Sequence, residues 1–209
     1  MERMYLFNEK FNKAFNSIIL PIKLIIPQPL IKQIPYLTTN REIRVEKVLE
    51  HVKGRCLDIG CGDNELIKEY RSKGGNGIGI DVYPWDGVDK VVSDSSKLPF
   101  ENKSFDCITF VASLNHIPNR NEVLKESYRI LKEDGIIIIT FLSPIISFLW
   151  HKICFWDQDQ KKRGMKNGEV YGFTGNQVIA LLNKTGYRIV EQKKFSWGLN
   201  HIYVGSKIL

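Results

Sequence analysis

The feature that most restricts what this chain can fold into is the run Cys56-Leu57-Asp58-Ile59-Gly60-Cys61-Gly62-Asp63-Asn64. It lies between a short apolar strand predicted over residues 55–59 and a helix predicted over 65–73, which Gly74-Gly75 stops. Glycines that close a strand and open a helix let the backbone approach a ligand beside a helix N-terminus, the arrangement found in parallel α/β sheets. The downstream pattern agrees. Strands are predicted at 77–81, 90–93, 104–111 and 136–141, with Asp134-Gly135 turning the chain into the last of these. A helix over 123–131 carries Leu124, Tyr128 and Leu131 on one face. Thr174-x-x-Gln177 caps another helix that runs through Leu182 and is closed by Gly186, and strands follow at 187–192 and 201–205. Strands alternating with helices at this spacing predict a doubly wound α/β sheet covered on both faces.

Two flanking segments depart from that rhythm. In residues 1–40, Phe7, Phe11 and Phe15 recur every four residues, and Ile18 and Ile19 extend the same face. That is an amphipathic-helix pattern, after which Pro21, Pro27, Pro29 and Pro35 break the chain into short pieces. We expect an N-terminal helical and Pro-rich extension that packs on the core, with a membrane surface or a partner as the alternative. The main domain is expected over residues 41–209; the capping box Thr39-x-x-Glu42 straddles its boundary, and the apolar stripe Val45, Val48, Leu49 and Val52 follows, with Gly54 expected to end that helix. Residues 143–173 carry six aromatic side chains, Trp150 and Trp156 among them, and read as an irregular lid over the ligand's reactive end.

Composition narrows the class. With 209 residues, 43% hydrophobic and 25% charged, the chain can bury a sizeable core, so disorder and small disulfide scaffolds are excluded. The net charge of +7 arises from lysines interleaved with acidic residues and reads as a solvated face. Cys56, Cys61, Cys107 and Cys154 form no C-x-x-C pair and have no histidines at zinc-ligand spacing, as expected for reduced thiols in a cytoplasmic protein. No metal site is expected. The most apolar stretch, residues 136–150, is too short and too interrupted by polar residues and Pro144 to cross a membrane.

The glycine turn alone leaves the ligand open, and three further positions narrow it. A dinucleotide fingerprint needs a glycine at position 65, which is Glu65 here, and Asp63 and Glu65 would repel a pyrophosphate. Asp81, at the end of the second strand and about 20 residues beyond the turn, is placed to accept both hydroxyls of a ribose. Asp94-Ser95 follows the third strand, where an adenine edge would lie. Together these positions describe a nucleoside site without phosphate.

In this combination the chain resembles the class I S-adenosylmethionine-dependent methyltransferases, in the small-molecule (type 11) branch that includes quinone-biosynthesis enzymes. The resemblance is carried by Leu57-Asp58-Ile59-Gly60-x-Gly62, Gly79-Ile80-Asp81 and Asp94-Ser95-x-x-Leu98-Pro99-Phe100. It continues through Ser104-Phe105-Asp106-Cys107-Ile108, Asn115-His116-Ile117-Pro118 and Arg129-Ile130-Leu131-Lys132-x-x-Gly135. It implies a Rossmann-like, seven-stranded sheet whose last strand is antiparallel. It also implies S-adenosyl-L-methionine as cofactor: Asp58, Gly60, Cys61 and Gly62 around the methionine part, Asp81 and Val82 at the ribose, Asp94 and Ser95 at the adenine, and Val111 and Ala112 near the reactive methyl. The third glycine of the family is Asn64 here, a residue that tolerates the left-handed backbone such a turn needs.

Methyl transfer from a sulfonium requires alignment and exclusion of water, and a base only where the acceptor must lose a proton. His116 is the histidine at the expected reaction site and the candidate catalytic residue. After the fourth strand the chain reads Phe110-Val111-Ala112-Ser113, which lacks the Asn/Asp-Pro-Pro-aromatic motif of nucleobase amino-methyltransferases. Nucleic acid is disfavoured as a substrate. The aromatic segment 143–173 and the Phe7/Phe11/Phe15 stripe suggest a small, apolar or lipid-like acceptor. Two other classes fit less well: a catalytically silent binding subunit that has kept the cofactor fold, and a peripheral membrane interaction protein built on residues 1–40.

Overall fold

The computed structural model describes residues 37–153 and 166–208 continuously, and upstream of them Phe15, Ile18, Ile26, residues 28–31, Gln33 and Ile34. Phe7, Phe11, Trp156 and Cys154 lie outside the described residues, as does the side chain of Trp150.

Helix α1 (Asn40–Leu49) begins as the sequence predicts. The Thr39 hydroxyl accepts the Glu42 amide, and the Glu42 carboxylate accepts the Thr39 amide, at 3.1 and 2.6 Å. There follow β1 (Arg55–Ile59), α2 (Glu65–Ser72), β2 (Asn76–Asp81), the two-residue β3 (Lys90–Val91) and β4 (Phe105–Val111). After a 3-10 turn over Leu114–His116 come α3 (Arg120–Ile130), β5 (Leu131–Leu142), α4 (Pro144–Ile153), α5 (Gly175–Lys184), β6 (Tyr187–Phe195) and β7 (Asn200–Lys207). The seven strands lie in the order β3-β2-β1-β4-β5-β7-β6. Strands β1 to β5 pair in parallel, whereas β7 runs antiparallel to both β5 and β6, as the resemblance implied.

Side chains alternate across the sheet and build a core on each face. Leu57, Ile108, Ile137 and Ile139 pack on one side with Val123 and Leu124 of α3 and Val178 and Leu182 of α5. Cys56, Cys107 and Ile138 pack on the other with Val45 and Val48 of α1 and Leu66 and Ile67 of α2. This is the two-faced covering expected of a doubly wound sheet. No described helix is long and apolar enough to cross a membrane.

Three expectations need correction. Helix α1 ends at Leu49, with Glu50 as its C-cap, so Gly54 does not stop it. Gly54 is left-handed (φ +56°), and a Cβ there would come within 2.5 Å of the Asp106 carboxylate, which accepts the Arg55 amide at 2.8 Å. The fifth strand starts earlier than the Asp134-Gly135 signal indicates: Phe105 pairs with Leu131 and Cys107 with Ile136, so residues 132–135 form a bulge within β5. The segment after β5 is not irregular from its start, because α4 occupies its first third. Upstream, Phe15 and Ile18 are helical but 43% and 69% exposed, so these two members of the N-terminal stripe lie outside the core.

Candidate functional site

The C-terminal ends of β1, β2 and β4 bring the sequence-predicted residues to one edge of the sheet. Gly60 and Gly62 are both left-handed, with φ of +74° and +57°. A Cβ on Gly60 would lie 2.5 Å from Ser113 Cβ, and the Ser113 hydroxyl donates to Ile59 O at 2.6 Å. The glycine is therefore what allows the turn after β1 to touch the turn after β4. Asn64 adopts φ 65°, ψ 31°, the left-handed conformation expected of it, and forms the N-cap position of α2.

Four of the turn's amides are already engaged. Gly60 and Cys61 N–H both donate to Ile80 O, at 2.9 and 3.0 Å, and Asn64 N–H to Cys61 O. Gly62 N–H donates to Asp81 Oδ2 at 3.0 Å. A phosphate cradle needs amides aimed at the ligand, and here they stitch β1 to β2 instead. Arg41 of α1 pairs with Asp63 and, at 2.8 Å, with Glu65, which offsets the acidity of the turn.

Asp81 is buried, and each of its oxygens holds one amide: Gly62 on Oδ2, and Tyr83 on Oδ1 at 2.9 Å. A carboxylate oxygen accepts two bonds, so one acceptor site per oxygen remains for a pair of hydroxyls. Next to it Val82 is 46% exposed, an apolar surface beside the carboxylate. Asp94 closes its own turn, taking Ser96 N–H on Oδ1 at 2.8 Å and Ser96 Oγ–H on Oδ2 at 2.7 Å, with Asn119 Nδ2–H also on Oδ1. Those bonds hold its carboxyl below the usual carboxylate range, while Ser95 is buried behind it.

Asp58 and Cys61 are the buried polar members. Asp58 accepts the Thr109 hydroxyl at 2.6 Å across the β1–β4 pairing, and burial raises its carboxyl to about 7, against the opposing influence of Thr109 and Arg41. Burial, with Asp58, Asp81 and Asp89 nearby, pushes the Cys61 thiol far up, so it is no thiolate nucleophile. At the end of β4, Val111 is half-buried, and Ala112 just beyond it is left-handed (φ 53°) with its N–H held by Thr140 O and Oγ1.

His116 sits one turn farther on, its N–H donating to Ser113 O at 2.9 Å. Its Nδ1 lies 3.1 Å from Oε2 of Glu169, whose side chain is fully buried. Glu169 belongs to the returning segment, where Val170 N–H donates to Asn115 O at 3.0 Å and Gly168 O accepts Arg120 Nη2–H at 2.7 Å. Residues 168–170 thus lie against the turn after β4, at the same end of the sheet as the glycine turn. Arg41, Thr109 and Glu169 are site residues that sequence reasoning misses. Thr109 leaves a trace, as a polar residue inside an apolar strand. The other two become visible only through tertiary contacts.

The residues fit S-adenosylmethionine in one respect the structure can test: the buried Asp81 carboxylate keeps one acceptor position on each oxygen, which suits the pair of hydroxyls of a ribose. Residues 36–192 match the methyltransferase domain family. An uncharacterized protein of Methanocaldococcus jannaschii is 39% identical over 103 residues, a match that spans 45% of this chain and 39% of that protein's length. A demethylmenaquinone methyltransferase from Lactobacillus johnsonii is 27% identical over 182 residues, spanning 72% of this chain and 75% of its own. Among solved structures, a SAM-dependent methyltransferase from Methanosarcina mazei superposes with a TM-score of 0.58 at 21% identity, covering 78% of this chain and 97% of that one. The chain belongs to the methyltransferase domain family, in its S-adenosylmethionine-dependent, Rossmann-like class I form.

Proposed function

We propose that this protein catalyses in-line transfer of the methyl group of S-adenosylmethionine to a small, apolar, lipid-like acceptor. The observation that carries the reading is the Gly62–Asp81 hydrogen bond, which fixes a buried carboxylate with two unused acceptor positions beside the glycine turn. S-adenosylmethionine supplies a methyl group on sulfur with a neutral thioether leaving group. Asp81, with Val82 beside it, holds the ribose, Asp94 and Ser95 the adenine, and Asp58, Gly60, Cys61 and Gly62 the methionine portion. Val111 and Ala112 line the methyl end. The turn after β4 and residues 168–173 align the acceptor and exclude water, which provides most of what this chemistry needs.

His116 acts as the base for acceptors that must lose a proton. The Glu169 carboxylate, 3.1 Å from Nδ1, orients the imidazole for that role. The apolar acceptor is supported by the likeness to a demethylmenaquinone methyltransferase and by the aromatic side chains of the segment after β5. Action in the cytoplasm on an acceptor collected from a bilayer fits the same features, and liposome flotation of the full-length protein tests that part.

Isothermal titration with S-adenosylhomocysteine and with NAD tests the cofactor. The homocysteine product binds and NAD does not; the reverse order rejects the reading. Incubation with a metabolite extract and methyl-labelled S-adenosylmethionine then places the label in the organic phase, whereas label in nucleic acid rejects the acceptor class.

A further inference from the structure

The cofactor positions leave one large feature unused, a cleft of about 930 Å³ between α4 and α5. Ile145, Phe148 and Leu149 of α4 line it on one side, Ala180 and Leu181 of α5 on the other, and Phe173 lies between. The volume is at the upper end for small-ligand cavities. Ile145, Phe148 and Leu149 are 73%, 38% and 46% exposed, a contiguous apolar surface that a protein rarely leaves without a ligand or partner.

Its shape follows from the helices. Ile145, Phe148 and Leu149 stand at i, i+3 and i+4, and Gln177, Ala180, Leu181 and Lys184 continue the same spacing over eight residues, with a polar side chain at each end. At 1.5 Å per residue, that stripe gives a slot roughly 10 Å long. Arg120, which also lines the cleft, donates to Leu114 O at 3.2 Å and Asn115 O at 3.3 Å, and its guanidinium lies over the Phe173 ring at 5.6 Å. This arginine joins the apolar slot to the turn that carries His116.

We propose that the cleft holds the hydrocarbon chain of a single-chain amphiphile, lying along α5 with its polar head toward Arg120. Two helix stripes, apolar at Ile145, Phe148 and Leu149 and at Ala180 and Leu181, suit an extended chain better than a compact ring. Arg120 and Lys184 both line the cleft, and Arg120 is the cation bonded to the reaction turn, which suits an anionic or strongly polar head at that end. The placement of that head beside His116 rests on the methyl-transfer reading, whereas the chain site stands on the cleft itself.

The test is fluorescence titration of the full-length protein with cis-parinaric acid, followed by displacement with octanoate, dodecanoate and dodecanol. Saturable one-to-one binding is expected. Each added methylene should tighten displacement by about fourfold until the slot is filled, and dodecanol should displace more weakly than dodecanoate. Ile145→Asp places a charge in the slot and Ala180→Trp fills it. Both positions are exposed, so the fold should tolerate them. Each variant should weaken parinarate binding at least tenfold while leaving S-adenosylhomocysteine affinity, measured by calorimetry, within twofold. Absent binding, or binding unchanged in both variants, overturns the chain site. Failure of the unmodified protein to bind S-adenosylhomocysteine overturns the methyl-transfer reading instead, and the parinarate result then judges the cleft alone.

Discussion

Asp58 couples the site to pH through burial. Its carboxyl titrates near 7 in the folded protein against an ordinary value of 3.8, with Thr109, Arg41, Asp81 and Cys61 as the groups around it. Between those values the folded protein keeps a proton that the unfolded chain has released. This group's contribution to stability is therefore complete below about pH 4, is lost as pH rises toward 7, and is flat above that. Asp58→Asn, which keeps an oxygen for the Thr109 hydroxyl, should remove that trend. Relative to the unmodified protein, the variant should gain stability on going from pH 4 to pH 7, by at most about 1.4 kcal/mol for each pH step of one. Urea denaturation at several pH values measures it, and two parallel curves would show that Asp58 is not the group responsible. Asp81 makes the complementary case for affinity. Asp81→Ala removes the proposed ribose contacts, each charge-assisted bond being worth about 1.5–3 kcal/mol. Affinity for S-adenosylhomocysteine should fall at least tenfold, with circular dichroism confirming an intact fold; unchanged affinity would place the ribose elsewhere.

At the scale of elements, the contact between the β1–α2 turn and β2 is the tightest around the site. A Cβ on Gly79 would lie 1.9 Å from Asn64 Oδ1, and the Asn64 carboxamide donates to Gly87 O at 3.0 Å. The glycine of Gly79-Ile80-Asp81 is therefore dictated by the asparagine that replaces the family's third glycine. Gly79→Ala should destabilise by about 1–3 kcal/mol through overpacking. Asn64→Gly keeps the left-handed backbone and removes the obstacle, so the same alanine should cost much less in that background. A double-mutant cycle by chemical denaturation checks this, and additive effects would refute the coupling. The left-handed Asn64 is legible from its residue type and position, but its hold on Gly79 is not, because 15 residues of chain separate them. Helix α4 is legible in principle: Pro144 occupies its first position, where a missing N–H costs nothing. The dense aromatic content of 143–173 reads as a binding segment and masks that start signal. The bulge in β5 is hidden for a different reason, since Asp134-Gly135 is as good a signal for a bulge as for a turn.

Across the whole molecule, alternation of strand and helix, with the motif run from Leu57 to Gly135, foretells the sheet and its C-terminal site edge. What it cannot foretell are pairings that exist only after folding. Arg41 meets Asp63 across 22 residues, Asp58 meets Thr109 across 51, and His116 meets Glu169 across 53. These contacts tie α1, β1, β4 and the returning segment to one another, so a ligand seated there should stabilise the domain as a unit. S-adenosylhomocysteine at 100 times its dissociation constant should add about 2.7 kcal/mol. For a chain of this size each kcal/mol raises Tm by roughly 2–4 °C, so the expected shift is about 5–10 °C. NAD at the same concentration should give none. Asp81→Ala, at least tenfold weaker, should forfeit about 1.4 kcal/mol at that ligand concentration and show roughly half the shift. Differential scanning calorimetry of both proteins decides the matter. A full shift retained by the variant would mean that binding stabilises the fold from somewhere other than the edge where the glycine turn meets Asp81.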